Sequence, residues 1–288
     1  MNPGNIARAK VIKDMCLLNR EVTQPTDRKC WLSRHMNSES RMLAVKVPSI
    51  TAFFWVIKIL ATTVGETFAD FLNQTLGWGL SGTAVAMTLF LVAVLVIQFS
   101  LRRYIPAVYW LAIVTISTVG TLLTDWTHDG LGVENWQAII IFAVALSITL
   151  IIWFAKERTL AMKSINTRGR EAFYWLAMLF TFALGTAGGD IFLDDMGIPL
   201  TITLIGFALA LLLLLILWRV GVVGSVLSFW IACVLTRPLG AALGDLLSLP
   251  ADETGLGWGA ANTSYLFLAI IAGLVVYLSI TKRDQIKQ

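Results

Sequence analysis

The sequence predicts an all-helical, polytopic membrane protein. Eight transmembrane helices form four parallel two-helix repeats, with the odd helices inside and the even helices outside. Three observations predict it. Charged residues make up 14% of the 288-residue chain and hydrophobic ones 57%, whereas a soluble domain carries about a quarter charged residues. The segments 81–97, 137–155, 200–217 and 264–280 hold no Asp, Glu, Lys or Arg. Each has about the length that crosses a hydrocarbon core of ~30 Å at ~1.5 Å per residue. The third observation is a repeat. Trp55, Gly65 and Asp70 recur at identical spacing as Trp110, Gly120 and Asp125, as Trp175, Gly185 and Asp190, and as Trp230, Gly240 and Asp245. An aromatic precedes each tryptophan: Phe54, Tyr109, Tyr174 and Phe229.

Residues 1–48 come first and differ from the rest. They are polar and basic, with Arg8, Lys10, Lys13, Arg20, Arg28, Lys29, Arg34, Arg41 and Lys46, and no signal-peptide apolar core precedes Val47. They are expected to form a poorly ordered cytoplasmic tail, with Met1 and Met42 both candidate starts. The transmembrane domain follows over 49–281, in repeats at about 50–100, 105–155, 172–219 and 225–281. Its helices are expected near 50–72, 81–100, 106–127, 137–155, 173–194, 200–218, 225–248 and 262–280. The first span of each unit carries the motif; the second is uniformly apolar. The basic stretch KERTLAMKSINTRGR (156–170) lengthens the middle step of the repeat from 55 to 65 residues, as expected of a two-unit half that was duplicated. Residues 282–288 form a short C-terminal tail.

Loop charge sets the orientation. Arg102 and Arg103 follow the second span, Lys156, Arg158, Lys163, Arg168 and Arg170 the fourth, Arg219 the sixth, and Lys282, Arg283 and Lys287 the eighth. The other loops carry Asp129, Glu134, Asp194, Asp195, Asp252 and Glu253 and no basic residue. The positive-inside rule then puts both termini in the cytoplasm. All four units point the same way, as a parallel repeat about an axis along the membrane normal.

Taken together, the four tryptophan-containing units resemble a bacterial inner-membrane family of unknown function, built from four tandem two-helix repeats. The resemblance covers about residues 47–281. Phe54–Trp55 with GETFAD, and the later YW and FW starts, carry it. It implies a membrane protein of the bacterial inner membrane and no particular activity.

Each motif position has a physical reading. Four residues after each glycine stands another small residue: Ala69, Thr124, Gly189 and Gly244. In lipid, helices associate by close backbone approach at such faces, so the odd helices are expected to form the inner bundle. Trp55, Trp110, Trp175 and Trp230 are read as interfacial anchors or wedges between repeats. Trp78 and Trp258, in matching GWG turns, are read as belt residues.

The aspartates ask for more. A charge inside the membrane costs about 2.5–3.5 kcal/mol on insertion scales, so each needs a partner: a loop amide or hydroxyl, or a cation. Residues four apart share a helix face. The row through the first aspartate reads Lys58, Thr62, Glu66, Asp70. The others read Ile113, Ser117, Thr121, Asp125; Met178, Phe182, Thr186, Asp190; and Cys233, Arg237, Ala241, Asp245. Lys58 and Arg237 either neutralise carboxylates in a structural network or line a path for a cation. Pro238 breaks a backbone bond in the seventh span, and the freed carbonyl is a candidate cavity lining.

Three cysteines, Cys16, Cys30 and Cys233, are read as free thiols. His35 and His128 stand too far apart for a zinc site. There is no phosphate-binding glycine loop, no nucleophile elbow and no paired nucleophile and base, so neither a cofactor nor an enzyme is expected. The net charge of +4 comes from the tail and short loops and points to no nucleic acid. The expected partners are membrane lipid and a small cation. The expected function is a small-cation transporter, metal or proton-coupled, with Lys58, Thr62, Glu66, Asp70, Asp125, Asp190, Arg237 and Asp245 along its path. The alternative is a structural or regulatory membrane protein whose buried charges are purely architectural.

Overall fold

In a computed structural model of the chain, the structure describes residues 45–251 and 254–285. Eight helices of membrane length follow one another, with no strand among the described residues. They are α1 (Ala52–Asp70), α2 (Gly79–Ser100), α3 (Pro106–Asp125), α4 (Asn135–Glu157), α5 (Arg168–Asp190), α6 (Leu200–Arg219), α7 (Ser225–Ser248) and α8 (Ala260–Thr281). The expected spans match these within a few residues, except that α5 begins earlier. Local chemistry explains several starts. Pro106 opens α3, where its missing N–H costs nothing. Glu134 and Gln137 close a capping box on α4, and the Thr167 hydroxyl accepts from the Arg170 N–H at α5.

The odd helices form a closed inner ring, α1 against α3, α3 against α5, α5 against α7, and α7 back against α1. Each even helix packs chiefly on the odd helix of the next unit: α2 on α3, α4 on α5, and α6 on α7. The even helix of the fourth unit, α8, packs on α1 of the first. Burial agrees: the odd spans are 56%, 78%, 50% and 56% buried, the even spans 22%, 28%, 11% and 33%. Apolar side chains of the even helices are left to meet lipid.

The motif glycines make the ring possible. A Cβ on Gly65 would strike Ser117, one on Gly120 would lie 2.6 Å from the Phe182 Cβ, one on Gly185 2.5 Å from the Arg237 Cβ, and one on Gly240 would strike Thr62. In every case the glycine makes room for a row residue of the adjoining odd helix. The tryptophans are wedges: Trp110, Trp175 and Trp230 are buried and Trp55 half-buried. Trp78 and Trp258 are exposed. Each is flanked by two glycines at positive φ, Gly77 and Gly79, and Gly257 and Gly259, a conformation that side chains with a Cβ rarely adopt.

The tail reading ends too late. Lys46, Val47 and Pro48 are buried, and the Lys46 ammonium pairs with buried Glu171 at 2.7 Å while the Gln98 amide donates to the same carboxylate. At the other terminus Asp284 is buried too, accepting from the Tyr104 hydroxyl at 2.5 Å and from the Ser49 N–H and hydroxyl through its carbonyl. The residues before 45, including Cys16, Cys30, His35 and Met42, and residues 252–253 and 286–288, lie outside the described residues.

Candidate functional site

The four rows of the odd helices run from a tryptophan end to an aspartate end, and their burial changes along the way. Lys58, Ile113, Met178 and Cys233 are fully buried, as are Thr62, Ser117, Phe182 and Arg237 one turn further. Thr121 and Thr186 are buried, whereas Glu66 and the four aspartates are half-buried. Solvent therefore reaches these rows at the carboxylate end alone.

The tryptophan end is shut by a layer absent from the sequence reading. One turn before the Lys58 level stand Phe54, Tyr109, Tyr174 and Phe229, all buried. Each packs against the motif tryptophan of the next unit: Phe54 on Trp110, Tyr109 on Trp175, Tyr174 on Trp230, and Phe229 on Trp55, with ring centres 5.5–6.3 Å apart. The Tyr109 and Tyr174 hydroxyls share a hydrogen bond of 2.5 Å. The repeated aromatic before each tryptophan was the available signal. Its place, four residues ahead of each row, puts it on the same helix face.

Two cations lie between this layer and the carboxylates, and they behave differently. Arg237 Nη2 donates to Glu66 Oε2 and to the Thr121 hydroxyl, and Nη1 donates to the Thr62 carbonyl at 3.3 Å. Among the described residues Lys58 meets no carboxylate. Its ammonium donates to the Cys233 carbonyl at 3.4 Å and sits 4.2 Å from the centre of the Phe182 ring, a cation–π contact. The reading of both cations as neutralisers holds for Arg237 alone. The carbonyl freed by Pro238 belongs to Val234. It lies 2.7 Å from where a Gly185 Cβ would be, so it faces the α5 backbone and does not line a cavity.

At the open end Glu66, Asp70 and Asp245 converge. One ligand atom from each lies within 4.8 Å of the other two. Two oxygens bound to one ion at ~2.2 Å are at most about 4.4 Å apart, so small side-chain movements bring the three onto a common cation. Asp70 accepts from the Gln74 amide at 3.2 Å. Gln74 lies in the turn that follows α1, so this contact is of the turn-fixing kind. Among the described residues no such donor reaches the side chains of Asp125, Asp190 or Asp245. Asp125 and Asp190 do not join this cluster.

Each of the first three aspartates ends an α-helix at a π-helical turn: Phe71–Thr75 after Asp70, Trp126–Gly130 after Asp125 and Ile191–Asp195 after Asp190. π-turns cluster at functional sites. The fourth aspartate differs, because α7 stays α-helical through Ser248. Elsewhere, an apolar groove of about 400 Å³ between α2 and α3, bordered by Val85, Leu89, Leu122 and Trp126, faces lipid and offers no such chemistry.

Fold and site define a class: an integral membrane protein built as a closed ring of four two-helix repeats, with a carboxylate-lined end. The chain belongs to the family described as Repeat of Unknown Function (DUF347), whose repeat matches at residues 53–104, 108–159, 173–220 and 228–284. No curated protein and no solved structure matches the chain.

Proposed function

We propose that this protein is a permease for a small cation, with the carboxylate end of the inner ring as the site where the cation enters. One observation carries the reading. Glu66 and Asp70 on the first span and Asp245 on the seventh come from opposite ends of the chain, yet gather their oxygens within 4.8 Å. Carboxylates in a membrane repel one another and are costly to bury; a bound cation removes both costs. Lys58, Thr62 and Arg237 extend the polar row inward from that site. Asp125 and Asp190, on the other two inner helices, add negative charge near its mouth.

Flux tests it. Asp70→Asn keeps size and an acceptor for Gln74 but removes a charge from the cluster. In proteoliposomes the variant is expected to accumulate normally and to lose cation flux. Full flux from both Asp70→Asn and Glu66→Gln would favour the architectural reading, which the Arg237–Glu66 pair supports as a helix tie.

The loop charges orient the ring in a bacterial inner membrane with the tryptophan end and both termini cytoplasmic. Reporter fusions at Gln74 and Lys163 are expected to report opposite sides. The same side for both would discard this orientation.

A further inference from the structure

We propose that Arg237 is the specificity-determining residue of the cation site: it forms the floor of the carboxylate cluster, and its charge tunes that cluster to one divalent cation. The inference rests on the cation-permease reading.

Arg237 is fully buried and touches all three other inner helices. It donates to Glu66 and the Thr62 carbonyl of α1 and to Thr121 of α3, and its Cβ fills the space that Gly185 leaves on α5. Its Nε has no partner among the described residues. The planar guanidinium suits this position, since one group reaches three acceptors in fixed directions. Arg237 takes up Glu66 Oε2, and Glu66 still offers a ligand oxygen within 4.8 Å of those of Asp70 and Asp245. A cation coming from the open end meets those oxygens first and the guanidinium next. Lys58 lies two turns from Glu66 on α1 and meets no carboxylate among the described residues.

Charge then selects the ligand. Metal binding requires deprotonated ligands. Asp125 and Asp190 lie outside the cluster and are common to every variant compared below. In the bound state the three ligands Glu66, Asp70 and Asp245 contribute three negative charges and Arg237, which pairs with Glu66, one positive, leaving two negative within the cluster. A divalent cation balances that; a monovalent cation leaves one charge unbalanced where dielectric screening is weak. All-oxygen donors favour hard divalent ions such as Mg²⁺, Ca²⁺ and Mn²⁺.

The test is calorimetric titration of the full chain in nanodiscs with Mn²⁺, in potassium chloride against an equal ionic strength of choline chloride. The wild type is expected to bind one Mn²⁺ per chain, with potassium having little effect. Arg237→Gln leaves three negative charges, and potassium should then weaken Mn²⁺ binding roughly tenfold, a change equal to about 1.4 kcal/mol. Arg237→Lys and the double variant Glu66→Gln/Arg237→Gln both keep two negative charges. Both should bind Mn²⁺ more weakly yet stay resistant to potassium. This pattern follows net charge, which a merely structural role would not produce. Potassium resistance in Arg237→Gln equal to the wild type overturns the assignment while leaving the permease reading intact. If Arg237→Gln fails to accumulate, the other two variants decide, and loss of potassium resistance in either overturns it. A wild type that binds none of Mn²⁺, Mg²⁺ and Ca²⁺ overturns the cation reading, and this inference with it.

Discussion

Glu66 and Asp70 stand one helical turn apart on the same face of α1, and the structure holds them by different means. Glu66 accepts from the buried Arg237 guanidinium, whereas among the described residues Asp70 accepts from the Gln74 amide near the surface alone. Removing one partner of a buried ion pair leaves an uncompensated charge, at a cost of about 3–5 kcal/mol. Because Glu66 is partly exposed, water screens part of that cost: Glu66→Gln is expected to destabilise the protein by roughly 2–3 kcal/mol, and Asp70→Asn by less than about 1 kcal/mol. Thermal unfolding in detergent, followed by tryptophan fluorescence, reads the difference. Equal midpoints for the two variants would mean that the Arg237–Glu66 pair contributes nothing. The sequence shows each of these charges but not their pairing. Lys58 and Arg237 look alike on paper, as lone cations in apolar helices. Which one reaches Glu66 depends on how α7 is rotated against α1, and that rotation follows from which side chain fills each glycine notch. Lys46 and Glu171 were less legible still, because charged residues at span ends read as solvated surface.

The glycine notches are an element-scale device, and they explain why Trp, Gly and Asp recur in one register. On each inner helix the glycine lies five residues before the aspartate and directly against a row residue of the adjoining helix. The consequence is graded. At Gly185 an added side chain meets the Arg237 Cβ and the Val234 carbonyl, and at Gly240 it meets Thr62 and the Ile59 carbonyl. Backbone atoms cannot swing aside, so Gly185→Leu and Gly240→Leu must separate the helices and lose contact along the whole crossing. Overpacking of this kind costs about 1–3 kcal/mol or more. Gly206 on α6 has open space around it, and Gly206→Leu is expected to accumulate as the wild type does. Fluorescence-detected size exclusion of tagged variants measures this; comparable monodisperse yields from all three would remove the glycines' role as notches. The spacing of small residues made the inner faces legible from sequence alone. The π-turns after Asp70, Asp125 and Asp190 were not, since a single widened turn leaves no mark on hydrophobic periodicity.

The whole molecule is a ring, and this was only half legible. Equal spacing of four motifs gives the number of units and their common direction. It does not say whether the even helix of a unit packs on its own odd helix or on the next, since charge-free helices look the same in both arrangements. A linear stack of repeats would leave α1 and α8 at its two ends, because each repeat of such an array contacts only its neighbours. Here α8 packs on α1, and the Thr67 hydroxyl of α1 and the Ser264 hydroxyl of α8 are hydrogen-bonded at 2.7 Å, both buried. Hydroxyls that close bring the two side chains near enough for a small movement of the helices to reach disulfide geometry. In a variant lacking the native cysteines, Thr67→Cys with Ser264→Cys is therefore expected to oxidise to an intramolecular disulfide. A protease site inserted in the 156–170 segment makes the result unambiguous. After cleavage, the halves carrying α1–α4 and α5–α8 should run together on a non-reducing gel and separate on reduction. Neither single-cysteine variant should hold the halves together. If the double variant also releases separate halves after full oxidation, α8 does not close on α1. The outer layer would then be open at the seam between the last unit and the first, with α7 against α1 left as the closure of the inner ring.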